Sequence, residues 1–574
     1  EIFKNSGTIY DLFTNAMLQR LEQVDAFLAK KIIYTYFDLV IEYRNSNIQI
    51  TKFKLLDMLD IRYHNSFDKI MNRLIDVNIL IKDNSNLDRI KFQHDKIEEF
   101  FFKQYIQEYE HNGLDFFNAI FELSNTNIIY QSGIVQYLLD LENRGRETNL
   151  KYLLNNLSLQ LIDEISKVLI EVLLRSKNLA NCLKYLIGTK DKSSDKKIVS
   201  IIIWGIDQSL QDYSTLTFDI NRIIDELQKI SDNTLMTKEM HAYLYFFKAK
   251  LAYYTNNYTH ALSFVKEAQK LLDSNNCALS VKLDIHHAVI RMEQGYSRQC
   301  IGYLEKDFQS YLNTNDLKTL LEIGIELGRA LNHSGQTSRT LKLYDILLVH
   351  EDEISDSFIL ARIYEQKANV LNKLMYHKLQ YGFVKKDLLT DEIVNEVKDL
   401  FEEALFLYDK SVDLLLKTNA IFTYSGVLPE KINTFISYSF SIEPSGIEEC
   451  AQMISELDNT FTYISTPFET DFNLAKAYFY EYKNQIDEAQ KYLENALSLS
   501  VKLKIKNKEA KCRCFYSQFA YRQIINHKDD SKKWKQIGIA QLEQAINYYE
   551  KHTLSENNIF LEDCYLLMER FLNS

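Results

Sequence analysis

Several residue types able to do chemistry occur in this chain, but few stand at the spacing that chemistry needs. His286 and His287 are adjacent in a stretch with helical periodicity. Neighbours on a helix point about 100° apart, so they make a poor metal pair. Cys512 and Cys514 are one residue apart, not in a CxxC, and no second pair completes a zinc site. Neither HExxH nor GxSxG is present. No G-x-x-x-x-G-K-[ST] loop is present either; GTKDKSSD at Gly188 lacks the second glycine and the strand that should precede it. No strand ending in acidic residues reads as the partner of such a loop. We therefore expect no catalytic residues, no metal site and no ATP hydrolysis by this chain alone.

The remaining polar clusters read as binding or packing. His94 lies in F-Q-H-D-K-I-E-E-F-F-F-K-Q-Y-I, residues 92–106. It is either a hydrogen-bond donor with a partner elsewhere or a cap of a strand–helix junction. Phe92, Phe100 and Phe101 read as packing, and Glu99 as a local cap or pair. The acid pairs Glu402-Glu403 and Glu448-Glu449 read as helix starts, where they complement the helix dipole. KLKIKNKEAKCR, residues 502–513, reads as a solvated basic face, or as a contact for an acidic partner or nucleic acid.

Tyrosine usage is more informative. The chain has 37 Tyr, and many fall on the first helix of a hairpin in the second half. The expected outward-facing set is Tyr243, Lys250, Tyr253 and Tyr254, then Arg329 and Asn332, then Arg362, Asn369 and Asn372, then Tyr478 and Tyr482. Tyr and Arg dominate protein–protein hot spots. Packing between helices is the competing role for any one of these tyrosines.

The elements that position these residues are helical. Among 574 residues there are 15 Gly and 3 Pro, against roughly 40 and 29 at average usage. So few breakers argue against an all-β fold with many tight turns. Hydrophobic content of 46% supports a large core, and no apolar run is long enough to span a membrane. A net charge of −12 argues against a general nucleic-acid grip. Seven scattered cysteines suit a reducing cytosol. The chain begins at Glu1, and EIFKNSGTIYDLF already enters a helical pattern; we expect a fragment whose upstream part is missing.

Three regions follow from periodicity. In the first, Ile9–Ala29 and Lys31–Tyr43 read as helices. Thr51 reads as the cap of a helix through Met58, and another helix starts near Asn65. Ile79–Lys82 and Arg89–Gln93 read as strands around the polar turn DNSNLD, and a helix over Asp95–Tyr109 follows. Helix, helix, hairpin is the plan of a winged helix. The second region, 111–240, reads as irregular helix pairs. The third, 241–574, repeats. Ala249, Ala261 and Ala268 are spaced 12 and 7 apart, as are Ala477, Ala489 and Ala496. The first small residue recurs at Ala249, Ala288, Gly328 and Ala368, in steps of 39, 40 and 40. Small residues mark where helices approach closely. Turn signals fall between the helices: TNN before Tyr258, Gly295, Gly335, and KNQ before Ile486.

The stretches KAKLAYYTNNYTHALSFVKEAQKLL, ELGRALNHSGQTSRTLKLYDIL and KAYFYEYKNQIDEAQKYLENALSL resemble tetratricopeptide repeats, with a longer period and no helix-ending proline. An insertion is expected around His377–Lys398. A bend or irregular helices are expected over 420–470, where Pro429, Pro444 and Pro467 cluster. In tetratricopeptide solenoids the first helix of each hairpin lines a concave surface.

The motif Phe92, His94, Glu99, Phe100 and Phe101 resembles the end of the winged-helix domain of STAND-class NTPases, the NACHT proteins and their relatives. RLIDVNILIKDNSN and YDLFTNAMLQRLE resemble the segments that precede it there. The fold implied is mainly α: a winged-helix domain followed by a long tetratricopeptide-like solenoid. The implied domains are 1–44 after an absent ATPase core, 45–110 as winged helix, 111–240 as helical pairs and 241–574 as sensor. By this resemblance His94 would hold the β-phosphate of ADP in the resting state. The longer protein would bind ADP or ATP with magnesium, through a core upstream of Glu1. The resemblance extends to bacterial antiviral STAND proteins. It implies a protein trigger such as a phage terminase or portal gripped over the concave surface, self-association on activation and an upstream effector. A STAND transcription regulator that senses a small ligand, or a plain repeat scaffold, are the alternatives. The C-terminal stretch from Ala540 shows no helix-turn-helix domain.

Overall fold

This computed structural model describes residues 15–44, 50–83, 86–124, 127–143, 147–187, 191–210, 217–230, 235–272, 278–379, 389–418, 420–461, 468–526, 531–553 and 558–574. Expectations that rest on Ile9 to Phe13, on the tip of the DNSNLD turn, on Cys277, on Pro467 and on most of the insertion after Leu379 lie outside these residues. The chain forms two compact units. One comprises residues up to Ser209 with 222–240; the other comprises 210–221 with 241–574. No described helix is long and apolar enough to cross a membrane.

The first unit opens with α1 (15–22) and α2 (Ala26–Glu42). The single helix expected over Ile9–Ala29 is broken at Asp25, whose carboxylate accepts from Leu28 N at 3.2 Å and caps α2. An N-cap aspartate satisfies a free helix donor, so the apolar stripe restarts there. After α3 (Lys52–Met58) and α4 (His64–Asp76) come β1 (Leu80–Asp83) and β2 (Asn86–Phe92). They pair antiparallel with Leu80 opposite Phe92 and Lys82 opposite Ile90. Thr51 caps α3 as the sequence suggests. α5 (Asp95–Tyr109) follows. Its aromatic run builds the local core: Phe100, Phe101 and Phe102 are buried, and Phe92 stacks on Phe37 at 5.7 Å. Buried Glu98 accepts from Tyr130 Oη at 2.7 Å, and burial raises its carboxyl pKa. Next come α6 (Leu114–Ser124), α7 (Ile128–Asn143), α8 (Glu147–Asn156), α9 (Ile162–Arg175), α10 (Leu179–Ile187), α11 (Lys192–Ser209) and α12 (Thr217–Gln228), helical as expected over 111–240.

The second unit is a tandem array of helical hairpins: α13 (Lys238–Tyr254) with α14 (Tyr258–Leu271), α15 (Ala278–Glu293) with α16 (Ser297–Tyr311), and α17 (Leu317–His333) with α18 (Thr337–Leu348). α19 (Ser357–Leu379) packs on the 27-residue α20 (Asp391–Lys417). Then come α21 (Ile421–Ser441), α22 (Ile447–Phe461), α23 (Glu469–Tyr482), α24 (Ile486–Lys502), α25 (Lys506–Asn526), α26 (Ser531–His552) and α27 (Ile559–Asn573).

The repeat has a visible cause in the backbone. Asn256, Gly295, Gly335 and Asn484 all have φ between 57° and 88°. This left-handed residue stops one helix and aims the next. The small residues expected at contacts are buried: Ala249, Ala261, Ala288, Cys300, Thr340 and Ala368 are 0–1% exposed. Gly328 lets α17 approach the buried Tyr344 ring, which a Cβ there would overlap.

Two expectations need correction. α21 runs unbroken through Pro429, and the break in the stretch where a bend or irregular helices are expected falls instead at Pro444, between α21 and α22. Glu402 and Glu403 lie inside α20, not at its start, and Glu403 instead pairs with Lys367 at 3.0 Å. Helix length in a long insertion is set by packing, which periodicity alone does not bound.

The array also curls back on itself. A Cβ on Gly295 would strike Tyr548 of α26, and one on Gly335 would strike Asn558 at the start of α27. Tyr296 meets His552 edge-on at 5.6 Å. His377 of α19 bonds Asp563 of α27 at 2.8 Å. The turns of the α15–α16 and α17–α18 hairpins and the end of α19 thus meet the last helices.

Candidate functional site

The curl leaves a cavity of about 200 Å³ at its centre. α15, α17 and α19 supply Glu293, Arg329, Asn332, His333, Glu365, Asn369, Asn372 and Lys373; α21, α23 and α25 supply Glu430, Asp471, Lys508 and Lys511. Phe468, Phe515, Tyr548 and Phe560 complete the wall. The polar lining is uneven: α15 gives Glu293, α17 gives Arg329, Asn332 and His333, and α19 gives Glu365, Gln366, Asn369, Asn372 and Lys373 over about two and a half turns.

A charge ladder crosses neighbouring hairpins. Arg329 donates to Glu326 at 2.6 Å and to Glu293 at 3.4 Å. Arg362 donates to Glu365 at 3.1 Å and to Glu326 at 3.4 Å. On the other wall Lys508 pairs with Asp471 at 2.7 Å, and Lys511 with Glu430 at 2.5 Å and Asp471 at 3.2 Å. Burial pushes the Asp471 carboxyl up, but the two lysines outweigh it and hold the group at about 2. His333 is neutral: burial and the neighbouring Lys373 push its pKa well below the ordinary value. Burial, with Lys511 nearby, pushes Lys373 down to about 7.

The structure sorts the residues singled out in the sequence. Arg329, Asn332, Asn369 and Asn372 come together on the cavity wall. Arg362 stands beside them in the ladder. The tyrosines do not join them as an open surface. Tyr254 is buried and donates to Leu210 O at 3.0 Å. Tyr478 is buried and donates to Gln518 at 2.9 Å. Tyr253 lies against Tyr258 and His286. Tyr243 packs on Phe247 at 5.9 Å, and Tyr482 on Phe440 at 5.3 Å. Lys250 lies 5.0 Å over the Phe246 ring. Tyr254 and Tyr478 are thus core residues, while Tyr243, Lys250, Tyr253 and Tyr482 are half-buried and keep part of their side chains open to solvent.

The basic run 502–513 also needs correction. Lys502, Lys504 and Lys506 are exposed, but Lys508 and Lys511 turn inward to Asp471. Spacing of three on α25 was the available signal, and only the buried acid on α23 gives it meaning. Lys373 was missed; a single lysine between apolar residues carries no pattern.

His94 occupies the N-cap of α5. Its carbonyl accepts from Ile97 N at 2.9 Å, while its side chain is exposed and makes no capping bond. Glu99 is the local pair expected, bonded to Lys96 at 2.5 Å. Among the described residues no group of three His, Cys, Asp or Glu could hold a metal.

No family model matches the sequence. No curated protein matches it either. Among solved structures, the chain is similar to a Rap protein complexed with competence and sporulation factor, at 9% identity and a TM-score of 0.41, over 73% of this chain and 97% of that one. It is also similar to a STAND protein with a tetratricopeptide repeat sensor from Pyrococcus horikoshii, at 12% identity and 0.34, over 83% of this chain and 63% of that one. A third is the Cut9–Hcn1 hetero-tetramer of the APC/C, at 12% and 0.30, over 84% and 93%. The helical-hairpin architecture described above rests on this chain's own turns and contacts.

Proposed function

We propose that this chain is the regulatory and sensor part of a STAND-class nucleotide switch acting in antiviral defence. The observation that carries the reading is His94. Its imidazole stands uncommitted at a strand–helix junction, directly behind a two-strand hairpin preceded by α3 and α4. That order suits a winged helix. A nucleotide-binding core upstream would hold ADP or ATP with magnesium, and His94 would donate a hydrogen bond to a phosphate oxygen. The described residues of this chain offer no phosphate cradle of their own, so His94 is the one contact assigned to it.

The repeat array would sense a protein trigger, a phage packaging or structural protein, and self-association of the longer protein would follow. A trigger of that size does not fit the cavity. It would read the outer faces or edges of the hairpins, or part α15–α18 from α26–α27 and use that opening to shift the switch. The test uses the longer gene product. Purified wild type is expected to retain ADP, and His94→Ala to lose it and gain basal activity. Equal ADP content in both would refute the role of His94. ATP hydrolysis by the 574-residue chain alone would refute the assignment of the core to an upstream segment.

The cavity favours a second reading, in which the array senses a small ligand. Polar groups converging on a partly aromatic wall are features of a small-molecule site, and about 200 Å³ suits a small one.

A further inference from the structure

The cavity wall neutralises its charges in pairs, with one exception. Asp471, Glu430, Glu365 and Glu293 each meet a lysine or arginine. Lys373 does not. Its Nζ donates to Asn332 Oδ1 at 3.1 Å and lies 4.8 Å over the Phe560 ring. No carboxylate among the described residues stands within ion-pair distance of it. A buried ammonium without a counter-charge is costly, and an anion beside it removes that cost.

Three buried polar atoms on the wall lack a partner among the described residues: Asn372 Oδ1, Glu293 Oε2 and His333 Nδ1. Asn372 is 2% exposed, and the first two atoms are acceptors. A group filling this space therefore carries hydrogen-bond donors as well as a negative charge. Phe468, Phe515, Phe560, Tyr548 and Tyr549 give the wall an aromatic part. A cavity of ~150 Å³ takes a benzene ring, so about 200 Å³ takes a ring with a short polar arm. A phosphate dianion is disfavoured, because every other cation on the wall already has its acid and no arginine fork is free.

We propose that this cavity binds a small organic carboxylate: its carboxylate on Lys373, an N–H or O–H donor toward Asn372, and an aromatic or branched body against Phe468, Phe515 and Phe560. The proposal rests on the small-ligand reading and gives it a chemical class. It also explains the lowered lysine, since a bound carboxylate restores the ammonium.

The test is calorimetry on the 574-residue chain with phenylacetate and N-acetylphenylalanine, each beside its neutral amide. One site per chain is expected for at least one acid, with its amide at least about thirty-fold weaker. Lys373→Met is expected to weaken the acid by a similar factor with an unchanged circular dichroism spectrum. Should that variant fail to fold, wild-type affinity is followed from pH 6 to 9; a fall above pH 7 is the expected result, and a flat profile overturns the proposal. Acid and amide binding equally would overturn the carboxylate while leaving the small-ligand reading standing. No binding of any probe would overturn both.

Discussion

Arg522 and Glu481 allow a decisive test of what holds neighbouring hairpins together. Arg522 of α25 forks onto Glu481 of α23, with Nε to Oε1 and NH2 to Oε2 both at 2.8 Å. Gln523 adds a third donor at 3.4 Å. The guanidinium also lies 5.3 Å from the Tyr478 ring and 5.4 Å from Phe440. Both side chains are under a tenth exposed. At an effective dielectric of 20, charges about 4 Å apart attract by roughly 4 kcal/mol. Removing one partner leaves the other buried and alone, a loss of ~3–5 kcal/mol. Removing both and filling the space with apolar side chains costs far less. Arg522→Met and Glu481→Gln are therefore each expected to destabilise strongly, and Arg522→Met/Glu481→Met to recover most of the loss. Because a repeat array opens locally, hydrogen exchange of peptides from α23 and α25 is the suitable readout. Protection in the double variant as low as in Arg522→Met would refute the coupling.

Three further outcomes follow from the geometry. Gly302 faces open space in α16 whereas Gly328 abuts Tyr344; Gly302→Ala is expected to raise thermal stability by about 0.5–1 kcal/mol, and Gly328→Ala to lower it by roughly 1 kcal/mol net once ~1–3 kcal/mol of overpacking meets the propensity gain. Burial holds His286 down at about 3, so below its unfolded pKa near 6.5 the unfolded chain takes a proton that the folded chain refuses. Stability is then lost as pH falls from 6.5 toward 3, and His286→Gln is expected to flatten that slope in melts at stepped pH; parallel slopes would count against it. Cys514 and Cys564 are buried with sulfurs 3.4 Å apart, and their hydrogen bond and burial raise the Cys564 pKa. Iodoacetamide mapped by mass spectrometry is expected to label them only after denaturation.

The hairpin array was legible before any coordinates because its cause is local. A left-handed residue at Asn256, Gly295, Gly335 and Asn484, and an alanine-sized side chain at each contact, are properties of single positions and repeat at a countable period. The strands were legible for the same reason, shifted by one to three residues at their ends: β1 and β2 run Leu80–Asp83 and Asn86–Phe92. Breaks set by caps or by packing were not, as Asp25 and the continuation of α21 through Pro429 show.

Of the expected binding residues, the asparagines and Arg329 reached one site, while Tyr254 and Tyr478 went to the core. Sequence alone determined that these helices present polar residues on one face at a constant repeat. Only the tertiary structure decided what that face meets. Helix α26 and the start of α27 come back against Gly295 and Gly335. That closure turns an expected open groove into a cavity and leaves Lys373 facing it, while Lys508 and Asp471, 37 positions apart, pair between the neighbouring hairpins of α25 and α23. No pattern in a single helix encodes it, because it depends on the sum of many interhelical angles rather than on any one of them.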